Sequence, residues 1–417
     1  MSFSDLVICL DQETLNRIVA TLATKPGIKS RLLTGSQVGS FSGVELTVGW
    51  EVQEPPVLDL SPPSPEQWKE AVKRDGASVE PVENAFLARF PKLSVTRKKG
   101  SGETDSATVA VTMICTLAAR DGQISLEPIA AVADFSQASG FDRLIYRKVI
   151  IPEALRMASA MLQGAPLPVL TFPGIQFGPM VLAGGNGRAV AAANLSGKPV
   201  PPAPSPASLP DGSMYVLLSR EALQQIAHSA ARPLAGQSRE TFGTASFSVG
   251  KADYRASIRV GTLTANPSSD LSGFDLSVGI AAEASAGVKV GLLPRAGLSY
   301  KAWSEPSPMG VRLGLSFAQM ALRAEIKSID QVIVRLEPAG DSSERLLSSI
   351  AWPLAQTLGV ILPPLIKDVF NGFSFDVLNI PPVGQEVLGE RVTVTPTDLH
   401  LCSFSDRLMV KAAVDIS

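Results

Sequence analysis

The chain repeats itself at an offset of 208 residues. At 6–10 it reads LVICL, then Asp11, then Leu15, Ile18, Val19 and Leu22. At 214–218 it reads MYVLL, then Ser219, then Leu223, Ile226, Ala227 and Ala230. Asp and Ser are N-cap residues, whose side-chain oxygen accepts a free backbone N–H of the first helical turn. Apolar residues at i, i+3, i+4 and i+7 line one face of a helix. Each copy is therefore strand, cap, amphipathic helix. Leu10/Leu218, Glu13/Glu221, Leu15/Leu223 and Ile18/Ile226 are identities at this offset. It returns late in each half, where Phe172-Pro173-Gly174-Ile175 falls on Ile380-Pro381-Pro382-Val383. Two anchor points at one offset restrict the chain to architectures in which each half has the same element order.

The segment GKPVPPAPSPASLPD at 197–211 lies between the copies. Proline at that density cannot join a sheet ladder and favours an extended linker. The sequence thus divides into a domain at 1–197, a linker at 198–211 and a domain at 212–417. Apolar helices are expected at 152–163 and 342–371, the second kinked near Pro353 and Pro363. Between the helices each half has the alternation of a β meander. The strands read at 44–52, 107–117 and 123–135 in the first half. In the second they read at 253–263, 274–284, 288–301, 311–324 and 331–336. Turns are expected at Gly100-Ser101-Gly102, Asp121-Gly122, Asn266-Pro267 and Pro306-Ser307-Pro308. A proline-rich loop at 55–65 leads into a short helix at 65–74. The fold class is α+β, in two similar tandem domains.

Composition removes several chemistries. Two histidines, His228 and His400, leave too few for a histidine triad or a multi-histidine metal site. Three widely spaced cysteines, Cys9, Cys115 and Cys402, make neither a zinc pattern nor a disulfide framework. No metal, no cofactor and no enzymatic activity are expected. Lys plus Arg is 37 against 39 for Asp plus Glu, so no basic footprint for nucleic acid is present. The residues at 1–10 lack the pattern of a signal peptide, which points to the cytoplasm. Residues 157–187 and 346–366 carry no charge, but prolines interrupt both, so they are read as buried rather than membrane-spanning.

Some local motifs have plainer readings. Gly184-Gly185-Asn186-Gly187 lacks the Lys-Ser/Thr of a phosphate loop and is read as a hairpin turn. Gly314-Leu315-Ser316-Phe317-Ala318 resembles a nucleophile elbow but sits in a strand pattern. Arg97-Lys98-Lys99 is read as a solvated hairpin, and His228 as a partly buried structural residue.

The element order, the duplication and the apolar composition, with 18% charged residues, resemble the tubular lipid-binding superfamily of bactericidal/permeability-increasing proteins. In character the chain is similar to the cytosolic members encoded in clostridial and insecticidal toxin gene clusters. The resemblance implies that each half is a highly curved antiparallel sheet wrapped around a long helix, the pair forming an elongated molecule. It also implies a long apolar ligand held in an aliphatic tunnel, where each buried methylene contributes about 0.8 kcal/mol. The helix faces that would line it are Leu15, Ile18, Val19 and Leu22; Leu155, Ala158, Met161 and Leu162; Leu223, Ile226 and Ala227; and Ile350, Leu354, Leu358 and Ile361. The implied partners are a fatty-acid-like lipid, proteins of a toxin complex and transient membrane contact. The alternative is a protein-interaction scaffold without bound lipid, acting through exposed loops such as 52–81.

Overall fold

A computed structural model of the chain describes all residues except 1–3, 42, 74–76, 100–101, 103, 121–122, 133–144, 164–169, 171, 203–204, 206–207, 248–249, 291–295 and 339–351. Four helices exceed eleven residues: α1 (Gln12–Thr24), α2 (Ile151–Gln163), α3 (Arg220–Ala231) and α4 (Trp352–Phe370). Otherwise the described chain is mostly antiparallel strand, arranged in three strongly curled sheets.

The chain forms two compact units, cut differently from the sequence halves. Unit 1 is Met1–Leu170, Gln176–Ser219 and Ile380–Ser417; unit 2 is Thr171–Ile175 and Arg220–Asn379. The reason is that strands opening and closing both halves join a single sheet in unit 1. Its order is Val383–Val387, Glu390–Phe404, Arg407–Ile416, Met214–Ser219, Leu6–Asp11, Arg188–Ala193, Val181–Gly185.

This sheet carries the repeat as local two-fold symmetry. Leu6–Asp11 pairs antiparallel with Met214–Ser219, and Ile8 lies opposite Val216, its own equivalent at +208. Backbone bonds come in matched pairs: Asp11 N to Ser213 O at 2.9 Å, and Ser219 N to Asp5 O at 2.8 Å. The flanking hairpins match too. Asn186-Gly187 and Ser405-Asp406 all have positive φ, the turn that suits two-residue hairpins. Gly184–Gly187 is thus a hairpin, as its sequence suggested. Arg188 and Arg407 start the equivalent strands. Arg188 donates to Leu209 O and Asp211, and Arg407 to Ser4 O, so each guanidinium clasps the segment entering the other copy's first strand.

Both faces of Leu6–Asp11 and Met214–Ser219 are covered, which explains why LVICL and MYVLL are unbroken apolar runs. Helix α1 packs on one side. On the other, Val7, Cys9, Val190, Tyr215 and Leu217 meet Leu209 of the proline-rich segment. The linker is therefore pinned at its C-terminal end rather than free throughout.

The second sheet of unit 1 runs Thr34–Phe41, Val44–Val52, Phe86–Lys99, Thr104–Arg120, Gln123–Val132, Ala71–Val72, with Val57–Asp59 beside Phe86–Lys99. Helix α2 lies on Gln123–Val132 and Thr104–Arg120. The helix expected at 65–74 spans Pro65–Glu70, held by a Ser64/Gln67 capping box. The turn expected at Asp121-Gly122 and the strand end at 133–135 lie outside the described residues.

The sheet of unit 2 runs Ser238–Phe247, Gly250–Pro267, Gly273–Val290, Met309–Ala318, Ala321–Ile329, Ser374–Asn379. A branch, Ala296–Glu305 then Ile333–Pro338, leaves from Gly273–Val290. Helix α4 touches the Ser238–Phe247 edge and Ile333–Pro338, the two ends of the run that passes through Gly250–Pro267, Gly273–Val290 and Ala296–Glu305; along this run the sheet wraps the helix. Residues 342–351 of the expected helix lie outside the described residues. Two strand expectations are corrected. The breaks placed within 274–301 give one long strand, Gly273–Val290, and Ala296–Glu305. The single strand read at 311–324 is a hairpin that turns at Gln319, whose φ is 56°.

Candidate functional site

The helix faces singled out by spacing are buried wherever their side chains are described. On α1, Leu15, Ile18, Val19 and Leu22 are buried against Leu6–Asp11, Val57–Asp59 and α2. On α2, Leu155 and Ala158 are buried, while the side chains of Met161 and Leu162 lie outside the described residues. On α3, Leu223, Ile226 and Ala227 are buried against Gly250–Pro267. On α4, Leu358 is buried and Ile361 half-buried. The Leu354 side chain and all of Ile350 lie outside the described residues. Helices α1 and α2 belong to unit 1, α3 and α4 to unit 2.

Helix α4 departs from the usual amphipathic pattern. Its only charges are Lys367 and Asp368, near its end. Leu358, Leu362, Ile366 and Phe370, spaced by four, form the buried stripe. Elsewhere on its circumference Val360 is 74% exposed, Pro364 is exposed, and Ile361 and Leu365 are half-buried. An apolar helix of this kind is normally covered all round. Here the protein covers one side.

Among the described residues the buried polar or charged side chains are Ser4, Asp5, Thr14, Ser304 and Arg407. Ser4, Asp5 and Arg407 belong to the two-fold sheet and its entry segments, and Thr14 to α1. Ser304 alone of these stands on the sheet of unit 2. Asp5 is a structural node: its carboxylate accepts from Leu195 N at 3.0 Å, Lys198 Nζ at 3.0 Å and Ser219 Oγ at 2.8 Å. Burial would raise its pKa, but these donors outweigh burial and hold it below the ordinary aspartate value.

The buried face of unit 2 includes small residues that spacing alone did not single out, among Ile258, Val260, Val288 and Leu298. Ala252 and Ala256, Ala282, Ala284 and Ala286, and Ala302 are buried on three neighbouring strands. Their signal in the sequence is the alternation at 281–287, AAEASAG, where every second residue is alanine. Within this wall stand Tyr300 and Ser304, 4% and 2% exposed. Neither hydroxyl has a hydrogen-bond partner among the described residues. Burial raises the Tyr300 pKa, so it is a neutral donor at physiological pH.

Two surface clefts lie elsewhere in unit 2. One, of about 640 Å³, is bordered by Ile326, Lys367, Asp368 and Phe373 at the end of α4. The other, of about 550 Å³, follows the turn at Ser268–Gly273. There Ser272 N and the hydroxyls of Ser268 and Ser272 hold Asp270 down to about 2. That carboxylate is committed to its own turn.

Residues with plainer readings take plain places. Ser316 is exposed on a strand. Arg97 pairs with Asp105 across a hairpin. His228 is exposed, not partly buried, because it projects from the outer side of α3. Among the described residues no three His, Cys, Asp or Glu side chains are grouped to hold a metal. Burial pushes the Cys9 thiol up to about 11, and Cys115 higher still. No helix among the described residues is long and apolar enough to cross a membrane.

No known family profile matches the chain, and neither does any curated protein. Solved structures similar along nearly its full length include the following three. P47 of Clostridium botulinum E1 has 9% identity and a TM-score of 0.46, covering 99% of both chains. P47 from Clostridium botulinum A2 has 8% identity and a TM-score of 0.40, covering 98% of this chain and 97% of that one. A lipopolysaccharide binding protein has 13% identity and a TM-score of 0.34, covering 99% of both.

Proposed function

We propose that the protein is a non-enzymatic binder or carrier of a lipid or other long apolar ligand, held between helix and curled sheet. The carrying observation is α4. From Leu358 to Ile366 it is apolar around its circumference, the sheet of unit 2 wraps it, and Val360, Ile361 and Leu365 are left exposed or half-buried. An acyl chain laid along that side would remove the remaining apolar surface from water, at about 25 cal/mol per Å². Among the described residues no charged side chain is buried on the unit 2 sheet, which supports this reading, since no fixed charge opposes an apolar guest. In it, the buried faces of α1, α2 and α3 hold the scaffold and α4 meets the ligand.

The test is a titration of the purified full chain with a fluorescent long-chain fatty acid, together with solvent extraction of the protein as isolated. Saturable binding, or a co-purified lipid, is the expected result. Absence of both overturns the reading.

A second reading, an interaction scaffold, has its own observation. Val38 is 70% exposed and Phe242 85% exposed, each on an edge strand of its curled sheet. Edge strands with outward apolar side chains are sites where another chain can add a strand.

A further inference from the structure

We infer that two copies of this chain pair edge to edge through Ser238–Phe247, the outermost strand of the unit 2 sheet, in an antiparallel two-fold dimer centred on Phe242. The inference rests on the scaffold reading and deepens it by naming the partner as a second copy. It is independent of lipid binding.

The argument starts from what the strand leaves unpaired. Ser238–Phe247 forms a ladder on one side only, with Gly250–Pro267. Alternate backbone N–H and C=O groups of an edge strand point away from the sheet. Among the described residues these outward groups have no backbone partner, and the one side chain that reaches the backbone of this strand is Arg239, on Ser238 O. Sheet proteins normally guard such an edge with a charged side chain, a proline or a bulge. From Thr241 onward this strand has none of the three: it reads TFGTASF, and its register with Gly250–Pro267 is unbroken. The other end of the same run is guarded, since Ile333–Pro338 carries Arg335, Glu337 and Pro338. On the unguarded edge Phe242 is 85% exposed.

The partner is a second copy because the strand complements itself. A two-fold axis through Phe242 sets that ring beside its own equivalent, the arrangement of an isologous interface. Arg239 then lies opposite Ala245 of the second copy, and Glu240 opposite Thr244, so no like charges meet. Thr241–Phe247 offers no charge by which to select a foreign peptide. A contact made by one ten-residue strand belongs with the weak, reversible interfaces that bury less than about 1,200 Å². The edge strand of unit 1, Thr34–Phe41, has eight residues and presents Val38 outward, and it serves as the control.

The test is sedimentation velocity of the full chain from about 1 to about 200 µM, a range suited to weak association. The wild type should pass from monomer to dimer. Phe242→Lys and Phe242→Glu should each weaken the dimer about 10-fold, by losing the aromatic pair and opposing like charges at the axis. Mixed together they should dimerise again, because a lysine then meets a glutamate. Their Tm should be unchanged, Phe242 being exposed. Val38→Lys should dimerise as the wild type does. Hydrogen exchange of alternate amides in 238–247 should be fast in dilute protein and slow in concentrated protein. A wild type that stays monomeric, a mixture that stays monomeric, or a dimer lost in Val38→Lys and kept in Phe242→Lys overturns the inference. In those cases fast exchange of the alternate amides leaves the scaffold reading standing at this edge, whereas slow exchange in the monomer removes it as well.

Discussion

The curled sheets of the two units share a construction and differ in what they hold inside. Each opens with an edge hairpin in which a glycine lies under an aromatic ring of the next strand. An added Cβ at Gly35 would meet Trp50 at 2.5 Å, and one at Gly243 would meet Tyr254 at 2.5 Å. Beyond that point the inner faces diverge. Unit 1 presents Leu46, Val48 and Val52, then Phe86, Phe90 and Leu93, all buried. Unit 2 presents Ala252, Ala256, Ala282, Ala284, Ala286 and Ala302 among Ile258, Val260, Val288, Leu298 and Tyr300, all buried. Small side chains let the rest of the chain approach a sheet more closely than bulky ones do. One element order thus carries two walls that differ in side-chain size.

The largest expected effect breaks the wall of bulky residues. Phe90→Ala should cost about 3–5 kcal/mol, read as a fall in Tm, with lipid affinity of the folded protein unaltered. A cost below about 1 kcal/mol would mean that unit 1 is not close-packed. Next comes Asp5, on whose node the two-fold sheet rests. Asp5→Ala should cost about 1–3 kcal/mol by stranding the Leu195, Ser219 and Lys198 donors. The folded-state pKa of Asp5 is depressed, so its contribution is present above the ordinary aspartate value of 3.8 and is lost as pH falls through the lower folded value. Asp5→Asn should accordingly lessen the acid dependence of the melt, and an unchanged acid limb would remove Asp5 from this role.

Ala284→Phe tests the alanine row. Ala284 is 4% exposed, so the larger ring should cost about 1–3 kcal/mol, the usual penalty of overpacking. A cost below about 1 kcal/mol would show free space beside it. The smallest effect belongs to Val360→Ser, where stability should move by no more than about 0.5 kcal/mol and binding should weaken several-fold. Unchanged binding would detach the exposed side of α4 from ligand contact.

Much of the architecture was legible because it rests on strong periodicity. The offset of 208 residues placed both opening strands, and Ile8 and Val216 proved to be partners as well as equivalents. The helix expected at 152–163 is Ile151–Gln163. What escaped was written in weaker signals. Thr34–Phe41 and Ser238–Phe247 are edge strands rich in Gly, Ser and Thr, with no apolar alternation to reveal them. The turn at Gln319 lacks the Gly, Asn or Pro that normally marks one. The merging of the two sequence halves into one sheet was invisible, because fully covered strands carry no sign of which chain segment lies beside them. The candidate site was half legible. Spacing found buried helix faces, but a search for large aliphatic side chains looks past the alanine alternation at 281–287.

The central claim is that unit 2, and not unit 1, holds the guest. Crystals of the full chain grown with methyl 9,10-dibromostearate would locate the bromines by anomalous scattering. The account predicts peaks alongside Val360, Ile361 and Leu365 of α4, and none against Trp50 or Phe90. Bromine on the unit 1 wall, or none along α4, would contradict it.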